Sequence, residues 1–399
     1  MEKYDFDNLC LSCLGSIGSD GVCTSCGKKS DPTPNPPHHL QKLTLLNKKY
    51  LIGKTIGAGG FGITYLSWDL YKKEKVAIKE YYPDGHVSRD SSGNVNINSK
   101  QQQSHANRGL KRFIDEAQIL SKIKTLDGIV EVKDFFSANN TAYIVMEFLD
   151  GISLKRYIQR KGKLTMDTAL TILHPVIESL KEVHSLGLLH RDISPDNILI
   201  TKKNEVKLID FGAAKRFGDD EKNMSVVLKQ GFAPEEQYRS DGLQGEWTDV
   251  YALGVTIYYC ITGQLPPEAP ERVKKDKVVA PTSYGAVISA TQEKLLMKAI
   301  AVKAEDRFQN MQEMETALYK NFTKTTTVSD FKDRTKTTRP SDKQSSSKIY
   351  APTENNANET VDVPIEKNAR VSVRIDEQPI IEFKRKSAFS RFLDRLLKR

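Results

Sequence analysis

Cysteine is scarce in these 399 residues: there are five, and four of them crowd into the first 26 positions. The fifth, Cys260, lies in an apolar run after Asp249 and reads as buried packing rather than a redox switch. Long apolar runs are missing too. The longest, residues 251–261, falls short of the roughly 17 to 25 residues that a membrane-spanning helix needs. The opening MEKYDFDNLC has neither a basic start nor an apolar stretch, which argues against a secretory signal and leads us to expect a cytoplasmic protein. The first 30 residues also lack the basic and aromatic cluster of a nucleic-acid grip, so no nucleic-acid partner is expected there. Only 38% of residues are hydrophobic against 28% charged, so part of the length is expected to stay outside any core.

What is present begins with two CxxC pairs, Cys10 with Cys13 and Cys23 with Cys26. Each pair of thiolates can chelate one ion, Gly27 supplies permissive backbone for the turn, and four sulfurs match tetrahedral zinc. Two disulfides, disfavoured by the cytoplasmic expectation, and an iron site on the same ligands stay open as alternatives. So short a segment has no real core, and a metal would supply most of its folding energy. The stretch resembles the small zinc ribbons found at the ends of many bacterial proteins, which leaves its partner undefined. Residues 31–39, DPTPNPPHH, hold four prolines and read as an extended spacer, with His38 and His39 as a polar linker pair.

From about residue 48 to 320 strand and helix patterns alternate without a low-complexity break, as expected of one large domain. It opens with Gly57, Ala58, Gly59, Gly60, Phe61 and Gly62, a G-x-G-x-x-G run. In a dinucleotide fold a helix would follow, but here Ile63, Thr64, Tyr65 and Leu66 continue as strand, which favours a glycine hairpin over phosphates. In VAIKE, Lys79 is placed to hold phosphate oxygens. The helical run RFIDEAQILSKI puts Phe113, Ala117, Leu120 and Ile123 on one face with Glu116 beside them to orient Lys79, and Asp115 as a weaker competitor. In LGLLHRDISPDNILI and KLIDFGAAK, Asp192 suits a proton acceptor for a hydroxyl, while Asn197 and Asp210 offer hard oxygen donors to Mg²⁺ or Mn²⁺.

This ordered series resembles the eukaryotic-type protein kinase family, and the IKEYYP run resembles its bacterial branch. The resemblance implies an α+β, two-lobed protein kinase fold with a β-rich N-lobe to about residue 142, a hinge at Glu147, Phe148 and Leu149, and a helical C-lobe. It implies transfer of the γ-phosphate of ATP to serine or threonine hydroxyls of proteins, including the chain itself. Adenine would lie between Ala77 and Leu199 with Met146 as gatekeeper, and Thr64 stands where the family has valine. His190, Phe211 and Leu120 fall at the regulatory stack, Asp249 and Arg307 at scaffold anchors. A non-catalytic scaffold is the rival reading, and retention of Lys79, Asp192, Asn197 and Asp210 argues against it.

Three departures from the family stand out. Ser194 replaces the lysine usual two residues after the aspartate, and Lys229 falls where a threonine usually contacts the same loop, as if the two had exchanged places. That alignment takes Glu236 as the C-lobe anchor and shifts by one residue if Glu235 is the anchor. An insertion between Lys79 and Glu116 carries Ser92, Gly93 and Asn94 as a turn joining two short strands, either a partner contact or a plain surface hairpin. Between Ala213 and Phe232 the one hydroxyl side chain is Ser225, a candidate for autophosphorylation beside Arg191, although Asp219, Asp220 and Glu221 offer charge already.

The net charge of +9 sits unevenly, with 17 basic against 11 acidic residues after position 322. The boundaries we expect are a ribbon over 1–30, a linker over 31–47, the large domain over 48–320, a largely disordered Ser/Thr-rich tail over 321–383 with the threonines of 325–327 as phosphorylation candidates, and a basic amphipathic helix over 384–399. In that helix Phe389, Phe392, Leu393, Leu396 and Leu397 share one face amid lysine and arginine. This suits peripheral contact with anionic lipid at the inner membrane face, or a protein groove, or the domain itself.

Overall fold

The computed structural model describes residues 8–60, 62–122, 126–211 and 228–320, together with the backbone of 215 and 216. Phe61, Ile123, Ser225, the acidic trio 219–221, the threonines of 325–327 and the segment 384–399 lie outside the described residues.

Strand-forming runs build an antiparallel N-lobe sheet: β1 (Leu45–Leu46), β2 (Tyr50–Gly59), β3 (Gly62–Asp69) and β4 (Glu74–Tyr81). The insertion follows as a hairpin of β5 (Val87–Arg89) and β6 (Val95–Ile97), then α1 (Lys100–Leu120), β7 (Val132–Ala138) and β8 (Thr141–Glu147). The main sheet runs β1-β2-β3-β4-β8-β7. In β4 the residues Val76 to Glu80 are all buried, as befits a central strand covered on both faces. The helix α1 lays Leu110, Phe113, Ile114 and Ala117 against Ala142 and Ile144 of β8. It starts well before the run that signalled it, because its first turns are polar and hide the period.

The turn expected at Ser92 to Asn94 is there. The Asp90 carboxylate accepts the amides of Ser92 and Asn94 at 2.9 Å, and Gly93 takes φ +86°, which only glycine adopts without strain. The N-lobe sheet begins at β1, ahead of residue 48, and its last long strand ends at Glu147, past residue 142.

The proline-rich segment is not a free spacer. Asn35 is buried, with Nδ2 donating to the carbonyls of Leu40 and Gly53 and Oδ1 accepting the Thr55 amide. His39, read as a polar linker residue, is buried too, with Nδ1 2.8 Å from Thr55 Oγ1. Asparagine can mimic backbone on both its donor and acceptor sides, so one side chain straps the segment along β2. Ahead of it, buried Leu14 of the cysteine segment packs on Gly53, where a Cβ would come within 3.0 Å of the leucine methyl. Burying that leucine contributes about 2 kcal/mol.

The C-lobe adds β9 (Gly151–Ser153), α2 (Leu154–Lys161), α3 (Met166–Ser185), β10 (Leu188–Leu189), β11 (Ile198–Thr201), β12 (Val206–Leu208) and β13 (Lys215–Arg216). Then come α4 (Glu246–Thr262), α5 (Ala269–Lys274), α6 (Ala290–Ala299) and α7 (Met311–Tyr319). The apolar run around residue 255 is the interior of α4, buried on nearly all sides, and Cys260 sits in it fully covered. Among the described residues no helix is long and apolar enough to cross a membrane.

Candidate active site and metal centre

The glycine run forms the hairpin between β2 and β3, closing at the pair Gly59 and Gly62. Gly57, Ala58, Gly59 and Gly60 are exposed. At Gly62 a Cβ would lie 2.4 Å from the Glu80 carbonyl, so only glycine lets the strand pass this close to β4. Thr64 faces Lys79 in register across β3 and β4, and Ala77 faces Met146 across β4 and β8. Leu199 lies half-buried on β11, opposite Ser153 and Lys207. Of the hinge residues, Glu147 accepts the Lys207 ammonium at 2.7 Å and the Glu131 amide at 2.9 Å. Phe148 and Leu149 are half-buried.

Lys79 donates to Asp210, which corrects the pairing with Glu116 expected from the sequence. The choice is electrostatic as well as geometric. Burial would depress the Lys79 ammonium, but Asp210, Glu116 and Asp192 together outweigh it and hold its pKa above the ordinary value. Glu116 is buried on α1 and takes no hydrogen bond among the described residues. Burial drives its pKa well above the carboxylate range, Lys79 opposing and Asp210 adding to the rise.

The loop between β10 and β11 carries the remaining groups. Asn197 Nδ2 donates to both the carbonyl and Oδ2 of Asp192 at 2.8 Å, which fixes the carboxylate and uses the nitrogen side of the amide. Burial raises the pKa of Asp192, against the pull of Lys229, His190 and the Asn197 bond. Two non-glycine residues of this site, Arg191 and Asp210, sit at φ +69° and +67°. Left-handed backbone costs such residues roughly 1 kcal/mol or more each, and it persists where the surroundings over-determine it.

Those surroundings are visible. Asp249, in the first turn of α4, accepts the amides of His190 and Arg191 and the His184 ring, each at 2.8 Å. The His190 and Phe211 rings pack edge-on at 4.4 Å, and Leu120 belongs to the same core. Arg307 pairs with Glu236 through both guanidinium nitrogens at 2.7 and 3.1 Å, which makes Glu236 its partner, while Glu235 lies by Arg239.

Lys229 Nζ donates to Ser194 Oγ at 2.7 Å and lies 2.9 Å from Asp196 Oδ2. The sequence had singled out Lys229 and Ser194 as residues that exchange places, but not this contact between them; Asp196, which also takes Lys155 at 3.2 Å, was missed. An acidic residue directly before a site asparagine was the available signal for it, but nothing in the sequence said which cation it meets.

The four cysteines converge at the N-terminus. Their sulfurs lie within 4.8 Å of one another, with Cys10 to Cys26 at 3.9 Å and Cys13 to Cys23 at 3.4 Å. Disulfide sulfurs would sit at about 2.05 Å. Sulfurs on a tetrahedron around an ion at about 2.3 Å stand about 3.8 Å apart, so the set fits a tetrahedral thiolate site. The Ser25 amide points at Cys23 Sγ from 3.4 Å, favouring the thiolate form.

Comparison with known proteins agrees with this geometry. The model of the protein kinase domain matches residues 50–345. Serine/threonine-protein kinase PknB of Mycobacterium tuberculosis is 29% identical over 69% of this chain and 43% of its own length. Serine/threonine-protein kinase D of Synechocystis is 32% identical over 68% of this chain and 52% of its own. The chain thus spans about half, or less, of the curated relatives it matches. A solved structure of PpkA-294 in its apo form superposes with a TM-score of 0.61 at 33% identity, covering 70% of this chain and 99% of that one. The fold is the two-lobed protein kinase fold, and the chain belongs to the protein kinase domain family.

Proposed function

We propose that this chain transfers the γ-phosphate of ATP to serine or threonine hydroxyls of proteins, itself among them. The observation that carries the reading is the Asp192 carboxylate held by Asn197 at 2.8 Å, close enough to Lys79 and Asp210 for their charges to act on one another. Asp192 orients the acceptor hydroxyl and takes its proton. Asn197 Oδ1 and the Asp210 carboxylate are the hard donors that would hold Mg²⁺ or Mn²⁺, whose charge would neutralise the phosphates. Lys79 is buried on a central strand and would hold the nucleotide phosphates, with Asp210 as a donor to the metal. The glycine hairpin covers those phosphates with backbone amides. Ala77, Met146, Leu199 and the backbone of Glu147 and Leu149 form the adenine site. The four cysteines would hold zinc in a structural role, with protein sulfur at all four positions.

The test uses purified full-length protein, labelled ATP and Mg²⁺, beside an Asp192→Ala control. Label on the chain or on a generic acceptor, lost in the control, supports the reading; no transfer by the wild type rejects it. The basic amphipathic pattern of 384–399 supports a peripheral contact with anionic lipid from the cytoplasmic side. Co-sedimentation with anionic vesicles at low salt checks it, and protein left in the supernatant refutes it.

A further inference from the structure

The transferring phosphoryl group gathers negative charge in the transition state and needs a cation beside it. Which side chain of this chain supplies it, beyond the metal donors, is a question of placement. Lys79 is bonded to Asp210 and is assigned above to the nucleotide phosphates. Lys155 meets Asp196 from α2 and is nearly half exposed. Lys229 sits differently. Its ammonium is 2.7 Å from the fully buried Ser194, two residues after Asp192, and 2.9 Å from Asp196, the residue before Asn197. Of the charges around Asp192, that of Lys229 does most to offset the burial of the carboxylate. Its own backbone is pinned, because the Lys229 carbonyl accepts the amides of Phe232 and Ala233 at 3.1 Å.

We propose that Lys229 is the catalytic cation that faces the transferred phosphoryl group, with Ser194 and Asp196 as positioning residues that aim its ammonium beside Asp192. The proposal rests on the kinase reading above. In the step, Asp192 takes the proton of the acceptor hydroxyl, whose oxygen bonds to the γ-phosphorus. The bond from that phosphorus to the β,γ-bridging oxygen breaks, and ADP leaves with the electron pair. Lys229 keeps its protons throughout and acts by charge and hydrogen bonding. The loop of Asp192 therefore does not carry this charge itself. A segment distant in sequence brings it, so the site is complete only when residues 228–237 lie against the loop, as they do where Gln237 Nε2 donates to the Arg191 carbonyl at 3.0 Å.

The experiment compares full-length wild type, Lys229→Met, Ser194→Ala and the exchange variant Ser194→Lys with Lys229→Thr, measuring turnover on a generic protein acceptor, affinity for a fluorescent ATP analogue, and thermal midpoint. Lys229→Met is expected to lower kcat about 100-fold while changing analogue affinity less than about threefold. Ser194→Ala is expected to lose about tenfold in kcat with KM for ATP nearly unchanged. The exchange variant is expected to regain at least about tenfold over Lys229→Met, because the charge returns to the same place from the other side of the contact. Lys229→Met turning over within about fivefold of an active wild type overturns the proposal. So does an exchange variant no better than Lys229→Met when its midpoint matches the wild type. A wild type that transfers no label overturns the kinase reading itself, a distinct outcome.

Discussion

Lys79 is bonded to Asp210, and Glu116 lies beside the pair without a hydrogen bond to either. Fully ionised, the three groups would hold two negative charges against one positive, and Glu116 is the more buried of the two carboxylates. Its raised pKa means that the folded protein binds this proton more tightly than the unfolded chain does. The sign follows: Glu116 favours the folded state at low pH, and that contribution is lost as pH rises through its elevated pKa. We expect Glu116→Gln to hold or raise the thermal midpoint of the nucleotide-free protein and to flatten its decline above the usual carboxylate range. Turnover should fall about tenfold or more, since with Asp210 engaged by a metal Glu116 would be the carboxylate left to orient the Lys79 ammonium, and a neutral amide does so poorly. Scanning calorimetry across pH with steady-state kinetics reads both effects. A loss of more than about 2 kcal/mol in the nucleotide-free protein would show Glu116 charged and paired.

His184 shifts stability in the same direction, for a different electrostatic reason. Its ring lies between Asp249 at 2.8 Å and Glu246 at 3.3 Å. Burial works against its charge, but these two carboxylates prevail and raise its pKa to about 9. A folded pKa above the unfolded value of about 6.5 gives stability fully present below pH 6.5 and lost as pH rises to 9. The contribution is on the order of 3 kcal/mol. Urea unfolding at pH 6.5, 7.5 and 8.5 should show this decline in the wild type and a flatter profile in His184→Gln. Because Asp249 also holds the amides of His190 and Arg191, the variant should lose turnover as well.

Much of this was legible in the sequence because the chemistry is local there. Gly57 to Gly62, Lys79, and the run from Asp192 to Asn197 each sit on the element their neighbours announce, and the cysteine spacing implies its own cluster. What was hidden depends on contacts between distant segments. Lys79 has two carboxylates in reach, and only packing decides that Asp210 is the one bonded. Asn35 among prolines looks like linker until β2 offers it a carbonyl and an amide. Asp196 and Lys229 are 33 positions apart, and no local pattern joins them. The early turns of α1 carry few apolar residues, so periodicity reported the helix late.

Removing the metal tests the cysteine cluster. One zinc per chain is expected by elemental analysis, falling below about a tenth in Cys13→Ser, while Cys260→Ala, far from the cluster, retains it. Loss of the ion should free Leu14 from Gly53 and lower the thermal midpoint by a few degrees, in line with about 2 kcal/mol of lost burial. Full zinc content in Cys13→Ser would rule out the four-sulfur site.

The hairpin of the insertion places one arginine, Arg89, against the N-lobe core, and this contact separates an inert flap from a structural clasp. Arg89 donates to Glu80 at 2.6 Å, and Glu80, fully buried, also accepts the hydroxyls of Tyr65 and Tyr143 at 2.8 and 2.7 Å. The same arginine reaches the His38 carbonyl at 2.9 Å, so hairpin, strap and sheet meet at one guanidinium. Arg89→Ala leaves the Glu80 carboxylate with two neutral donors and no cation, and breaking a buried pair from one side costs about 3 to 5 kcal/mol. Arg89→Ala combined with Glu80→Gln should recover much of that loss, because the amide needs no counter-charge while still meeting the tyrosine hydroxyls. A double-mutant cycle by urea unfolding gives the coupling directly. If Arg89→Ala costs less than about 1 kcal/mol, the hairpin rests on the lobe without securing it, and the strap over β2 is held by Asn35 and His39 without the arginine.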